Sequence, residues 1–295
     1  MVVLVTGGSG FIGSHLVDAL EGKGFSVRVL DKTKPLSEKA EWFKGDLISI
    51  DDVQGATEDV ETVFHLGAIA DVNVAVTDPE LCLRVNEIGT LNLLKACSGH
   101  EVERFILASS VWVYGNASGV VTEETPIPPP NDIYTKTKVG QEHLVYSWNR
   151  SHSLPYTILR YDIPYGPRMR SNMAISAFVR RAMRKEPITV YGDGKQGRCW
   201  IFVSDLADAN ILSMKHEATN QIINLAGKEF VTISEIVNLL SKKLGTFPIQ
   251  QAPPRTGDFR GITTSIEKAS KLIGWSPMTS FEDGISRYLE SVSRI

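Results

Sequence analysis

Short runs of aliphatic and β-branched residues alternate along the chain with longer stretches whose apolar positions recur every three or four residues. Residues 2–6, Val-Val-Leu-Val-Thr, read as a buried strand, and residues 11–21 as a helix with Ile12, Leu16, Ala19 and Leu20 along one side. Further strand-like runs fall at 25–30, 62–66, 105–108 and 156–160, and residues 81–97 read as one helix. Strands separated by helices predict right-handed βαβ units and an α/β fold, a doubly wound parallel sheet of Rossmann type. After Arg160 the rhythm changes. Prolines and glycines cluster at 164–167, 192–197 and 253–257, with helices expected at about 172–185, 204–216 and 233–244. One more apolar run, 222–225, has the character of a strand that rejoins the first sheet. The pattern predicts a Rossmann domain over 1–160 plus about 198–226. A smaller, partly discontinuous α/β lobe is expected over about 161–197 and 227–295. The run Pro128-Pro129-Pro130 is a rigid, extended lead-in to the helix that follows it.

Composition narrows the class. The chain has 295 residues, 42% hydrophobic and 22% charged, which is the range of a folded globular protein and not of a disordered one. With 31 Lys+Arg against 34 Asp+Glu, the formal net charge of −3 supplies no broad field for a phosphate backbone, so no nucleic-acid partner is expected. Cys82, Cys97 and Cys199 are odd in number and widely spaced, without a disulfide framework or a Cys-x-x-Cys pattern. A reducing compartment follows as the expectation. The opening apolar run of five residues is too short for a signal-peptide core, and no run approaches the roughly 18–20 residues of a membrane span. A cytoplasmic enzyme is expected, without a membrane partner. The six histidines show no ligand spacing, so no metal is expected.

The chemistry begins between the first strand and the first helix, at Thr6-Gly7-Gly8-Ser9-Gly10-Phe11-Ile12-Gly13. The glycines satisfy G-x-G-x-x-G through Gly8, Gly10 and Gly13, and G-x-x-G-x-x-G through Gly7, Gly10 and Gly13. Such a turn lets the backbone approach a pyrophosphate and aims the helix N-terminus at its charge. Asp31 ends the second strand 18 residues beyond Gly13. A carboxylate there accepts bonds from both hydroxyls of an adenosine ribose and repels a 2′-phosphate, which favours NAD over NADP. Lys32 and Lys34 are nearby cations that soften this preference.

A second constellation lies further on. Ser110 is placed just past the carboxyl edge of the sheet, where open α/β folds bind ligands. Asn131 and Asp132 offer capping side chains to a helix carrying Tyr134-Thr135-Lys136-Thr137-Lys138. Tyr134 and Lys138, at i and i+4, share one helix face. A tyrosine ordinarily titrates near ~10, too high for a base at neutral pH. The Lys138 cation, helped by an oxidised nicotinamide, is expected to lower Tyr134 so that it removes a substrate proton while Ser110 holds the hydroxyl.

In this order, glycine loop, acidic strand end, serine and Tyr-x-x-x-Lys resemble the extended short-chain dehydrogenase/reductases, specifically their nucleotide-sugar epimerase/dehydratase branch. Further marks are Gly45-Asp46-Leu47, similar to the family's adenine-contacting loop, and Phe64-His65-Leu66-Gly67-Ala68 at a strand end under the cofactor. Val85-Asn86-Glu87-Ile88-Gly89-Thr90 and Leu159-Arg160-Tyr161 leading to Gly166-Pro167 complete them. The resemblance covers nearly the whole chain and implies bound NAD, a Ser110–Tyr134–Lys138 catalytic set and a nucleoside-diphosphate sugar as substrate. It places the cofactor on Gly7, Gly10, Phe11, Ile12 and Gly13, on Asp31, Lys32, Asp46 and Leu47, and on Leu66, Ala68 and Asn86. Tyr134, Lys138, Tyr161 and Pro164 complete that cofactor set.

Substrate would be held by Ser110 and by Asn172 at the start of its helix. Arg198 and Arg260, in the family's two arginine-bearing segments 192–198 and 254–260, would grip a diphosphate from opposite sides. Asp71 is either at the sugar or in solvent. The basic string Arg180, Arg181, Arg184 and Lys185 reads as a solvent-facing stripe.

Two departures matter. Val111-Trp112 stand where 4,6-dehydratases carry Asp-Glu and where decarboxylases use a glutamate, and Ile163 stands at a substrate-contacting asparagine. The expectation is therefore an NAD-dependent sugar-nucleotide epimerase (an isomerase), most plausibly acting at C4 of a UDP-hexose. A reductase or dehydrogenase with the same three residues and a non-catalytic dinucleotide sensor are the alternatives. By resemblance, helices at about 81–97 and 133–149 would pair two copies into a homodimer.

Overall fold

The computed structural model describes residues 1–254 and 260–293. Strand β1 (Val2–Thr6) buries four of its five residues, as a central strand covered on both faces must. Helix α1 (Phe11–Gly22) follows, then β2 (Ser26–Asp31), β3 (Glu41–Lys44), α2 (Ile50–Thr57) and β4 (Thr62–His65). Next come α3 (Val72–Thr77), α4 (Pro79–Leu83), α5 (Gly89–Gly99), β5 (Arg104–Ser110) and the short β6 (Val120–Val121). Helix α6 (Ile133–His152) leads to β7 (Tyr156–Tyr161).

The helix expected over 81–97 is interrupted. α4 and α5 are joined by a π-helical turn, Arg84–Ile88. Asn86 at its centre is fully buried, so the extra residue turns a polar side chain inward where an unbroken helix would not.

Beyond β7 come β8 (Pro164–Tyr165), α7 (Ala174–Met183), β9 (Ile188–Tyr191), β10 (Gly197–Arg198), β11 (Ile201–Phe202) and α8 (Val203–Leu212). They are followed by β12 (Gln221–Leu225), β13 (Val231–Thr232), α9 (Ile233–Leu244), β14 (Ile249–Ala252), β15 (Thr263–Thr264), α10 (Glu267–Ile273) and α11 (Phe281–Val292). The seven-stranded main sheet has the order β12-β7-β5-β4-β1-β2-β3, parallel throughout. The apolar run near 222–225 does rejoin it, pairing Gln221–Leu225 with Thr157–Tyr161.

One face of the sheet packs Leu16, Val17 and Leu20 of α1 with Leu206, Ala209 and Ile211 of α8. The other takes Val53, Leu93, Leu94 and Val145 from α2, α5 and α6. A separate apolar core, with Ile175, Val179, Phe202, Ile236, Leu240 and Ile285, lies under the second lobe. The segment 267–275, expected in that lobe, instead buries Ala269, Ile273 and Trp275 in the core beneath α1 and α8. Strand order reverses between β1 and β4. Ligand crevices of open α/β sheets open at the carboxyl ends of strands at such a switch.

Candidate active site

At that switch Gly7 leaves β1 with φ +71°, and its N–H donates to the Leu30 carbonyl at 3.0 Å. A Cβ on Gly13 would lie 2.1 Å from the Gly7 carbonyl, so α1 meets the turn closely only with glycine there. Gly10 closes the turn by donating to the Gly7 carbonyl at 3.0 Å, and Phe11 and Ile12 sit half-buried in the first turn of α1. The result is a cradle of free backbone at a helix N-terminus, which fits a pyrophosphate.

Asp31, at the tip of β2, faces the same turn. Its Oδ2 accepts from Ser9 N–H at 3.2 Å and its Oδ1 from Thr33 N–H at 3.0 Å. Lys32 pairs with Asp46 at 2.7 Å, tying the ends of β2 and β3. Leu47 is buried and packs on Gly67 and Gly89, beside the half-buried Leu66 and Ala68.

Two of the residues expected at the cofactor have their polar groups committed elsewhere. Asn86 accepts from Ile69 N–H at 2.8 Å and donates to the Ile69 carbonyl and Thr137 Oγ1, so its amide braces the loop after β4. The Tyr161 hydroxyl donates to Asn210 on α8 at 2.6 Å, which leaves its ring and backbone as its only faces toward the crevice. Pro164 is half-buried at the start of β8.

The three catalytic candidates converge. Asp132 caps α6, accepting from Thr135 N–H at 2.8 Å, and so fixes the turn that carries Tyr134 and Lys138. Lys138 is buried and donates from Nζ to the Ala108 carbonyl of β5 at 2.9 Å. Ser110 is the last residue of β5; its Oγ accepts from Trp112 N–H at 3.2 Å and its hydroxyl is hydrogen-bonded to Tyr134. The Trp112 ring meets Tyr134 edge-on at 6.2 Å.

The expected electrostatics of the pair need correcting. Burial pushes Tyr134 up to about 12, partly offset by the Ser110 bond and the Arg170 charge. Burial pulls Lys138 down to about 8 against the opposing influence of Glu142. With no ligand in the crevice, desolvation shifts both groups toward their neutral forms, and Lys138 at about 8 still carries its charge for the most part at neutral pH. Tyr134 as a whole residue is half-buried.

Behind the pair, Glu142 accepts from Arg160 at 2.7 Å and from Ser109, and Arg160 also donates to the Tyr114 hydroxyl at 3.0 Å. This buried network, which the sequence pattern does not single out, locks α6 to β5 and β7 below the site. Its signal is present in Leu159-Arg160-Tyr161, but a buried partner one turn past Lys138 cannot be recognised without the fold.

In the second lobe, Asn172 does not open its helix. α7 begins at Ala174, and the Asn172 amide donates to Asp71 at 2.6 Å, so a side-chain partner holds it in the preceding turn. Burial would raise Asp71, but bonds from the Asn73 backbone and Asn172, with the Arg170 charge, leave it below its ordinary value.

Arg198 donates to the Gly197 carbonyl at 2.6 Å, while Arg260 is exposed and pairs with Asp193 at 3.5 Å. The two arginine segments lie side by side, Gly197 N–H donating to the Arg260 carbonyl at 2.9 Å, and do not face each other across a gap. Residues 255–259 of the second segment fall outside the described residues. Among the described residues no group of three or more His, Cys, Asp or Glu is placed to hold a metal ion. No helix there is long and apolar enough to cross a membrane.

A glycine cradle and an acidic strand end at the switch point, with Ser110 at the end of β5 and Tyr134 and Lys138 on α6 beside it, define the constellation of a dinucleotide-dependent enzyme of the short-chain dehydrogenase/reductase type. The chain belongs to the NAD-dependent epimerase/dehydratase family, whose model matches residues 3–226. It is 31% identical to a putative UDP-glucose 4-epimerase of Methanocaldococcus jannaschii over 97% of this chain and 96% of that one. A UDP-glucose 4-epimerase from Thermotoga maritima, solved with UDP-glucose, superposes with a TM-score of 0.94 at 31% identity, covering 100% of this chain and 99% of that one. A UDP-glucuronic acid 4-epimerase from Bacillus cereus, solved with UDP-glucuronic acid and NAD, gives 0.92 at 30%, with coverage of 100% and 99%. Relatives of similar identity are named epimerases, decarboxylases and dehydratases, so the likeness fixes the family and not the reaction.

Proposed function

We propose that the protein is an NAD-dependent nucleoside-diphosphate-sugar 4-epimerase, most plausibly interconverting UDP-glucose and UDP-galactose. The observation that carries this reading is the junction of Ser110, Tyr134 and Lys138 beside the glycine cradle, with Val111-Trp112 and no carboxylate after the serine. Gly7, Gly10 and Gly13 would hold the pyrophosphate of the dinucleotide, and Asp31 its adenosine ribose. When bound, NAD would supply a hydride acceptor and a positively charged ring. Ser110 holds the C4 hydroxyl, and Tyr134 takes its proton and returns it from the same atom. Lys138, anchored to the Ala108 carbonyl, keeps a cation beneath the phenol. Arg198 binds the substrate diphosphate.

Incubating the purified protein with UDP-glucose is expected to yield UDP-galactose by anion-exchange chromatography, with no net rise in absorbance at the NADH maximum. Steady NADH accumulation without an epimer would favour the reductase or dehydrogenase reading. Neither change, with NAD still bound, would favour a sensor.

A second substrate is supported by one feature. The Arg170 charge reaches both Tyr134 and Asp71 at the mouth of the crevice, which suits an anionic sugar such as UDP-glucuronic acid. A kcat/KM for UDP-glucuronic acid above that for UDP-glucose, reversed in Arg170→Gln, would select it. We further propose a homodimer formed through the outer faces of α6 and of the helical run from α4 through the π-turn to α5, because Ile88 of that turn and Tyr146 of α6 stand about half exposed. Light scattering should give twice the chain mass. Three buried free cysteines suit a reducing, cytoplasmic setting.

A further inference from the structure

Asp162 stands where the chain leaves β7 for the second lobe, and it is 1% exposed. Its Oδ1 accepts from Ile163 N–H at 2.8 Å and its Oδ2 from the Thr264 hydroxyl of β15 at 2.7 Å. The Cys199 N–H, just past β10, is bonded to the same carboxylate. Its own N–H donates to the Leu225 carbonyl at the end of β12 at 2.8 Å. One residue therefore joins the ends of β7 and β12 in the main sheet to Cys199 just past β10 and to β15, the strand that pairs with β6.

Among the described residues, the titratable groups facing it are Arg198 and the Cys199 thiol. Arg198 lies between these strands. A Cβ on Gly261 would come within 2.7 Å of its Nη1, so the 260–264 segment presses directly on the guanidinium. Gly197 N–H and the Arg260 carbonyl close the other side of that layer.

We propose that Asp162 is a positioning residue for the nucleotide-sugar diphosphate, clamping the strand of Arg198 against segment 260–264 so that the guanidinium is preset for its ligand. The proposal rests on the reading of Arg198 as a diphosphate ligand. It also explains why a charge is kept at this position. Burial pushes the carboxyl up to about 6, against the bonds from Thr264, Ile163 and Cys199 and the Arg198 charge. The native state holds that proton more tightly than the unfolded chain, so ionisation through this range works against folding. An amide would carry no such cost, but it offers one acceptor oxygen in place of two to the three donors gathered here. A cation that must be aimed gives the charge a purpose.

The test is Asp162→Asn, read by calorimetric titration of UDP into the NAD-loaded protein at pH 7.5 and by KM for UDP-glucose against pH. Both the UDP Kd and the KM are expected to rise roughly tenfold, the effect of a single cation no longer aimed at the diphosphate. kcat should stay within about twofold, since no reacting atom is touched. NAD retention and the melting temperature should be unchanged or improved. The wild-type KM should climb as pH falls through 6, and that limb should vanish in Asp162→Asn. Thr264→Val, which leaves the carboxylate but frees one tie, should move both constants the same way by a smaller factor, and it carries the test should Asp162→Asn fail to fold.

Wild-type UDP affinity in either folded variant would overturn the proposal. Arg198→Met separates it from the reading beneath it. An unchanged UDP Kd in Arg198→Met removes Arg198 as the ligand. A weakened one, with Asp162→Asn unaffected, removes only the positioning role. Losses that add in the double variant would place Asp162 outside the action of Arg198 and overturn the proposal as well.

Discussion

A phenol and an ammonium one helical turn apart are each driven toward neutrality by the protein that encloses them, Tyr134 to about 12 and Lys138 to about 8. Spacing alone suggests the opposite for Tyr134, because i and i+4 placement shows proximity but not the loss of water around both groups. The chemistry therefore requires charge brought in with the dinucleotide. In the ligand-free protein, the absorbance titration of tyrosinate, taken as wild type minus Tyr134→Phe, should show little ionisation of this residue until the pH nears about 12. Saturating NAD should move the difference curve down by more than about one pH unit, the shift expected of a nearby opposite charge. A curve that stays near 12 with NAD bound would remove Tyr134 as the proton acceptor. Tyr134→Phe should lower kcat by roughly 10²–10⁴, the usual span for a lost general base, and leave NAD affinity nearly unaltered.

At the scale of elements, two glycines of α1 make opposite predictions. Gly13→Ala forces a Cβ to 2.1 Å from the Gly7 carbonyl, so the turn must open. The variant should lose NAD binding by calorimetry and about 1–3 kcal/mol of stability, the usual cost of overpacking. Gly22→Ala meets nothing within 4 Å at the end of the same helix and should gain about 0.4–1 kcal/mol with NAD affinity unchanged. If Gly13→Ala bound NAD normally, the cradle would not be the pyrophosphate site.

This contrast also marks how far the elements are legible in sequence. β1, α1 and the position of Asp31 follow from local pattern, because period, glycine spacing and strand length are properties of neighbouring residues. The π-turn at Arg84–Ile88 is not local: it arises because Asn86 finds partners in Ile69 and Thr137, 17 and 51 residues away. Asn172 departs from its expected place for the same reason, its partner Asp71 lying 101 residues off. The clamp at Asp162 has no local signature because, apart from its neighbour Ile163, its partners Cys199, Leu225 and Thr264 come from three separate segments.

For the whole molecule, the floor of the crevice is a polar chain running across the main sheet, and its bonding fixes a tautomer. Thr90 Oγ1 donates to the Asn86 carbonyl, so it must accept from His65 Nε2 at 2.8 Å, as it does from Gln141 at 2.7 Å. His65 Nδ1 is then the acceptor for the Thr6 hydroxyl at 2.7 Å, while Thr6 Oγ1 accepts from Gly67 N–H. One neutral imidazole thereby couples β1, β4, α5 and α6 under the glycine cradle and the Tyr134 helix. A proton on Nδ1 would reverse the Thr6 bond and turn the Thr6 hydroxyl hydrogen away from its acceptor, as well as place a charge in a buried site. Burial, helped by the Lys138 charge, accordingly holds His65 down at about 3. Between about 6.5 and 3 the unfolded chain takes up a proton that the native state refuses, so stability is present in full above 6.5 and declines as pH falls. The slope contributed by this one group approaches ~1.4 kcal/mol per pH unit. Asp162, raised to about 6, opposes this slope at the acid end, so the His65 contribution is read as the difference between urea midpoints of the wild type and His65→Gln from pH 7.5 to 5. The wild-type midpoint should fall relative to that of His65→Gln, whose amide carries one donor and one acceptor but no titrating nitrogen. Equal slopes in the two proteins would mean that this imidazole takes up its proton without unfolding the floor.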